Sequence, residues 1–190
     1  MTDSSTGNRL IHKEKLFDAM RNLRYADYEE KAKGIEKLKE ESKSSKLAIR
    51  KLKELLFNDD ACVRILAAEA LSITGSFPDE VVPFLKKVLK RSRTDNVSAS
   101  TEPWLRRCLS GLYNYGALAM SAERTVWMYL YGHPFQDLKM DAAKVVSRFA
   151  SKSVASWTIL ALLCRHRDTD IRHNAKAIVA SDEFKNFLEK

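Results

Sequence analysis

From Lys46 to Ser181 large apolar residues recur every three to four positions with polar residues between them, which is the period of an amphipathic helix and not of a strand. Lys46 to Phe57 carries Leu47, Ile49, Leu52, Leu55, Leu56 and Phe57, then turns at Asn58-Asp59-Asp60. VRILAAEALSITG follows, closed by Gly75 as a C-terminal cap. The next helix is predicted from Asp79 to about Lys90, with Pro78 and Pro83 bracketing its start. A loop, RSRTDNVSASTEP, leads to WLRRCLSGLYNYG, closed by Gly116. Ser121 opens a helix over Arg124–Tyr131, ended by Gly132-His133-Pro134, and QDLKMDAAKVVSRFA follows. Ser153 or Ser156 opens SWTILALLCRH, and after the turn 167–170 comes IRHNAKAIVAS. Upstream, Leu10, Ile11, Leu16, Phe17, Met20 and Leu23 stripe a helix over Arg9–Arg24. Asp27 and Glu30 make a capping box for a thinly apolar helix over 28–42.

This pattern predicts an all-α chain with a disordered tip at 1–8, a helical pair or cap at 9–45, about four helix pairs over 46–181, and a short capping helix at 182–190. Aligning the second helix of each pair on its first large apolar residue gives Val63, Trp104, Leu138 and Ile171, at intervals of 41, 34 and 33 residues. The next residues are Arg64, Leu105, Lys139 and Arg172, three of them basic. Four past the anchor stand the small residues Ala67, Cys108, Ala142 and Ala175, which let neighbouring helices approach closely. Asp60 and Asp168 precede their anchors by three, where a carboxylate caps a helix and is placed to pair with a basic residue of a neighbouring unit.

DDACVRILAAEALSITG resembles the second helix of a HEAT repeat, with an acidic turn, Val-Arg, paired alanines and Ala-Leu. RDTDIRHNAKAIVAS and QDLKMDAAKVVSRFA are weaker copies, and the segment 80–116 departs most, with Trp104 at the anchor and no basic residue at 105. The resemblance implies a right-handed α-α superhelix of antiparallel helix pairs that binds protein or nucleic acid, and it implies no single activity.

The formal charge of +8 arises from 33 basic and 25 acidic residues with no separate basic tail, a diffuse excess that mildly favours an acidic partner or nucleic acid. Cys62, Cys108 and Cys164 are odd in number, widely spaced and set within or beside apolar helical patterns, so they read as buried reduced thiols in a cytoplasmic setting. The start is polar, and apolar stretches such as SVASWTILALLC are too short to span a bilayer, so no membrane partner is expected. Gly111 to Gly116 lacks the Lys-Ser/Thr of a phosphate-binding loop. His12, His133, His166 and His173 do not fall at metal-ligand spacing, and no nucleophile elbow occurs. No cofactor, metal or catalytic residue is therefore assigned.

Positions two, three, six and ten past the anchors face away from the core and give Arg106, Arg107, Lys144, Arg148 and His173, a candidate basic stripe on the concave face. Lys86, Lys87, Lys90 and Arg91 are the densest basic cluster, although cations at a helix end also answer its dipole. Among the aromatics, Tyr115 and Tyr131 are surface candidates, because each precedes a helix-ending glycine, whereas Trp104 and Trp127 read as core. The expectation is a non-catalytic scaffold holding a protein partner, of adaptor or toxin-immunity type. The alternative is nucleic-acid binding in the manner of the HEAT-like alkylpurine DNA glycosylases, which this chain then resembles; Asp141 is the loose candidate for their catalytic acid.

Overall fold

The structure is a computed structural model and describes residues 14, 18, 19, 28–92, 100–132, 135–150 and 152–180. Among these, every regular element is helical. They fall into two compact units, one ending at Phe77 and one beginning at Pro78. Of the expected helix over 9–24 only residues 14, 18 and 19 are described, all helical; the capping box residue Asp27, Arg93, His133, Pro134 and the tail 182–190 lie outside the described residues.

In the first unit, α1 spans Tyr28–Glu41, α2 Lys46–Leu55 and α3 Ala61–Ile73. Each touches the other two. Ser45 starts α2 by accepting the Ala48 amide, and Asp60 starts α3 by accepting that of Cys62. At the far end of α3, Gly75 takes φ 65, its N–H bonds the Ser72 carbonyl, and the Ser76 N–H reaches back to Leu71. That paired closure is the Schellman arrangement, and only a residue without a Cβ adopts its left-handed step freely. Ile35, Leu38, Leu52, Val63, Ala67 and Leu71 are sealed between the three helices. The outer faces of α1 and α2 hold Lys33–Glu30, Lys39–Glu36 and Lys51–Glu54 at i,i+3.

In the second unit, α4 spans Pro78–Ser92, α5 Glu102–Tyr115, a 3-10 segment Gly116–Ala122, α6 Glu123–Gly132, α7 Gln136–Ala150, α8 Val154–Leu163 and α9 Thr169–Ala180. Pro83 lies inside α4, where the sequence placed it at the helix start; its ring is exposed. The α7 helix is the hub, in contact with α5, α6, the 3-10 segment, α8 and α9. Leu138, Ala142, Val145, Val146 and Phe149 are buried along it.

Among the links from α5 to α7 are Arg106 to Asp141 and Tyr113 to Arg148. Both bridge the same sequence offset, and they lie two helical turns apart on each helix. Two rods cross-linked in this way run in the same direction, side by side.

The hairpin α8–α9 repeats the hairpin α2–α3 position for position. Ser153 caps α8 through the Ser156 amide as Ser45 caps α2, and Asp168 accepts the Asp170 and Ile171 amides where Asp60 accepts that of Cys62. Each residue of the later hairpin stands 108 positions after its counterpart. Arg64 Nη1 donates to the carbonyls of Asn58 (2.6 Å) and Asp59 (2.8 Å), and Arg172 Nη1 to those of His166 (2.9 Å) and Arg167 (3.3 Å). These arginines therefore clasp the turn of their own hairpin, whereas the sequence led one to expect Asp60 and Asp168 to pair with a basic residue of a neighbouring unit. The reason is geometric: a first-turn side chain points back toward the helix start, where the preceding helix leaves carbonyls without intrahelical donors.

One anchor shifts. Val63, Leu138 and Ile171 are buried, but in α5 the sealed residue is Leu105 at 2 % exposure, with Trp104 only half-buried. Burial then continues through Cys108, Leu109 and Leu112. The helix starts where expected, since the Leu105 N–H bonds the Thr101 carbonyl as Arg64 N–H bonds that of Asp60, so α5 is turned by one residue about its axis. The residue after the buried anchor then becomes Arg106, and the basic position missing at 105 is restored there.

Candidate functional site

Of the candidate residues on α5 and α7, Arg106, Lys144 and Arg148 lie along the line where the two helices meet. Arg106 Nε donates to Asp141 at 2.9 Å, its Nη1 lies 3.6 Å from Asp137, and Lys144 Nζ is 3.1 Å from the other oxygen of Asp141. Asp141 thus sits between two cations and is itself mostly covered, at 16 % side-chain exposure. The hydrogen bond and charge of Asp141 raise the Arg106 guanidinium further above its already high value. Two turns on, the Arg148 guanidinium stacks over the Tyr113 ring at 4.6 Å. Four of the five stripe residues thus lie on α5 or α7, and they alternate with Asp137 and Asp141. Arg107 is half-buried on α5 and His173 is exposed on α9.

The basic cluster of α4 lies elsewhere in the same unit. Lys86, Leu89 and Lys90 form one wall of a groove of about 360 Å³, and Arg124, Thr125, Met128 and Tyr129 of α6 form the other. Lys86 Nζ donates to the Ser121 carbonyl at 2.6 Å, which holds it against that wall. Tyr129 is wholly buried and donates its hydroxyl to the Leu89 carbonyl at 2.8 Å, satisfying one acceptor of the last turn of α4. Lys87 and Arg91 are exposed beside the groove, outside its lining.

Tyr115 corrects the surface expectation. It is 4 % exposed, and burial pushes its phenol far above the ordinary value. The chain does not stop at Gly116 but continues into the 3-10 segment, which folds back on α4, α5 and α7 and leaves Tyr115 inside. Tyr131 is exposed, with partial burial raising its phenol. Trp127 is half-buried, its Nε1 3.4 Å from Ser156 Oγ, and Ser156 donates to Glu123 at 2.5 Å, tying α6 to α8.

Arg124, Thr125 and Met128 escaped the sequence reading. Their spacing does put them on one face of α6. Which face of which neighbour they meet depends on the pairing of α4 with α6 across the intervening helix, and no local pattern encodes that pairing. No group of three or more His, Cys, Asp and Glu residues among the described ones is arranged to hold a metal ion. No described helix is long and apolar enough to cross a membrane.

No family model matches the sequence. No curated protein matches it either. A crystal structure of an engineered protein is similar over 92 % of this chain, with a TM-score of 0.51 and 17 % identity. The chain spans 48 % of that protein, about half its length. At such identity the likeness speaks to the fold alone.

Proposed function

We propose that this chain is a HEAT-like array of antiparallel helix pairs, wound as a right-handed superhelix, and that it works as a non-catalytic module holding a protein partner. Support for the array comes from the parallel α5 and α7 and from the hairpin that recurs at a constant offset. The face formed by α5 and α7 is the one offered to the partner.

The observation that carries the choice of a protein is Asp141. A nucleic-acid surface gathers cations to neutralise phosphates, and carboxylates set among those cations weaken that attraction. Here Asp137 and Asp141 interrupt the cations, giving a mixed-sign face of the kind that sets register against a protein. Asp141 is also engaged by two cations, which does not favour the glycosylase alternative.

Photo-crosslinking tests the reading. A benzophenone amino acid placed at Lys144 or His173 is expected to trap one discrete protein partner in cells, whereas the same probe at exposed Val154 of α8 traps none. Crosslinks to nucleic acid, or a mixed-sequence duplex binding tightly at physiological salt, would sink it.

A further inference from the structure

The groove between α4 and α6 takes no part in the face just described, and its chemistry is different. Three cations converge on it, Lys86 and Lys90 from α4 and Arg124 from α6, and no carboxylate lines it. Lys33, Lys39, Lys51, Arg106 and Lys144 each sit against a Glu or Asp. Lys90 and Arg124 have no such partner among the described residues, although both are exposed. Like charges brought to one hollow repel each other, and an anion entering between them relieves that repulsion.

Below the cations the groove is apolar. Leu89 and Tyr129 are fully buried at its floor, Met128 is half-buried, and Thr125 adds a hydroxyl. A volume of about 360 Å³ accommodates one or two side chains and is at the small end of ligand pockets. A ligand that fits both levels carries a negative group at the rim and an apolar body beneath it. Nucleic acid fits poorly: a strand needs cations spaced along its path and an aromatic face on which to stack, and the Tyr129 ring has no exposed face. Methionine, with its flexible thioether, suits a pocket that receives varied apolar side chains.

We propose that this groove is a docking pocket for an acidic peptide segment, in which a Glu or Asp carboxylate meets Lys90 and Arg124 while a neighbouring Leu or Phe packs on Met128 and the aliphatic stems of Lys86 and Lys90. Lys86, already held by the Ser121 carbonyl, contributes charge to the wall. The proposal stands independently of the α5–α7 face, and each can fail without the other.

The test uses the full chain labelled with 13C at its methionine methyl groups and a fluorescein-labelled synthetic peptide alternating Glu with Leu and Phe. Three further probes are the same peptide with Gln for Glu, inorganic phosphate, and a single-stranded oligonucleotide. The Met128 methyl resonance, assigned with Met128→Leu, is expected to shift on addition of the Glu peptide. The Gln peptide should bind at least about ten-fold more weakly, a factor that corresponds to roughly 1.4 kcal/mol. Lys90→Glu with Arg124→Glu should weaken the Glu peptide by at least the same factor with an unchanged circular dichroism spectrum. Should that pair disturb folding, Arg124→Gln alone, at an exposed position, is expected to weaken binding several-fold. The proposal is overturned if the peptide binds without moving Met128, if the charge changes leave its affinity intact, or if no binding occurs. Displacement of the peptide by phosphate or by the oligonucleotide, with the same shift at Met128, would also overturn it, by showing a simple anion or nucleic-acid site.

Discussion

At the scale of single residues, the arginine clasp shows how much geometry one side chain controls. Arg172 reaches two carbonyls from one nitrogen, and an apolar methionine in its place offers them no donor. Arg172→Met is expected to destabilise the second unit by about 1 to 2 kcal/mol, the usual range for charge-assisted bonds that are partly solvated. Trp104, Trp127 and Trp157 all lie in that unit, so tryptophan fluorescence during urea unfolding reports it directly. An unchanged midpoint would refute the clasp as a stabilising device. Asp168, in the same turn, has its carboxyl held below the ordinary value, first by the Ile171 amide and also by that of Asp170. A depressed carboxylate stabilises the fold fully above its unfolded value, and this contribution is lost as pH falls through the folded value. Unfolding midpoints should therefore drop as pH is taken below about 4, and Asp168→Asn should flatten that part of the profile. Equal slopes in both proteins would show that the capping carboxylate is not the group responsible.

At the scale of elements, α7 and α8 respond differently to mutation. The α7 helix touches five neighbours, and Phe149 is wholly buried at its end. Phe149→Ala should cost about 3 to 5 kcal/mol, read by the same fluorescence. The α8 helix is apolar nearly all round, yet Val154 is 83 % and Leu162 57 % exposed, so Leu162→Ala should shift stability by no more than about 0.5 kcal/mol. If the two substitutions were equally disruptive, the assignment of α7 as the hub would be wrong. From Tyr28 onward the helices were legible in the sequence because caps and period agree: Ser45, Asp60, Gly75 and Ser153 each act where a local rule places them. The slip at Trp104 has a physical origin. A large ring suggested the core position, whereas the rotation of α5 set by its neighbours put Leu105 there. The 3-10 segment was missed because Gly116 read as a stop, and a tight helix of mostly small residues leaves no distinctive period.

At the scale of the molecule, the sequence revealed residue types better than their company. Lys86 and Lys90 stood out as a dense basic run, but Arg124, about 35 residues on, belongs to the same groove only because α4 and α6 lie side by side. The stripe of Arg106, Lys144 and Arg148 was likewise foreseen as positive, and its neutralisation by Asp137 and Asp141 became visible only once α5 and α7 were in register. Distances across a helix array are long in sequence and short in space, so the sign of a face is a tertiary property. The clasps of Arg64 and Arg172 carry a different implication. They grip main-chain oxygen atoms, which every amino acid supplies, so the chemical identity of residues such as Asp59 and Arg167 is left open. Each of these two positions is thus a natural place to attach a fluorophore without unmaking the hairpin that carries it.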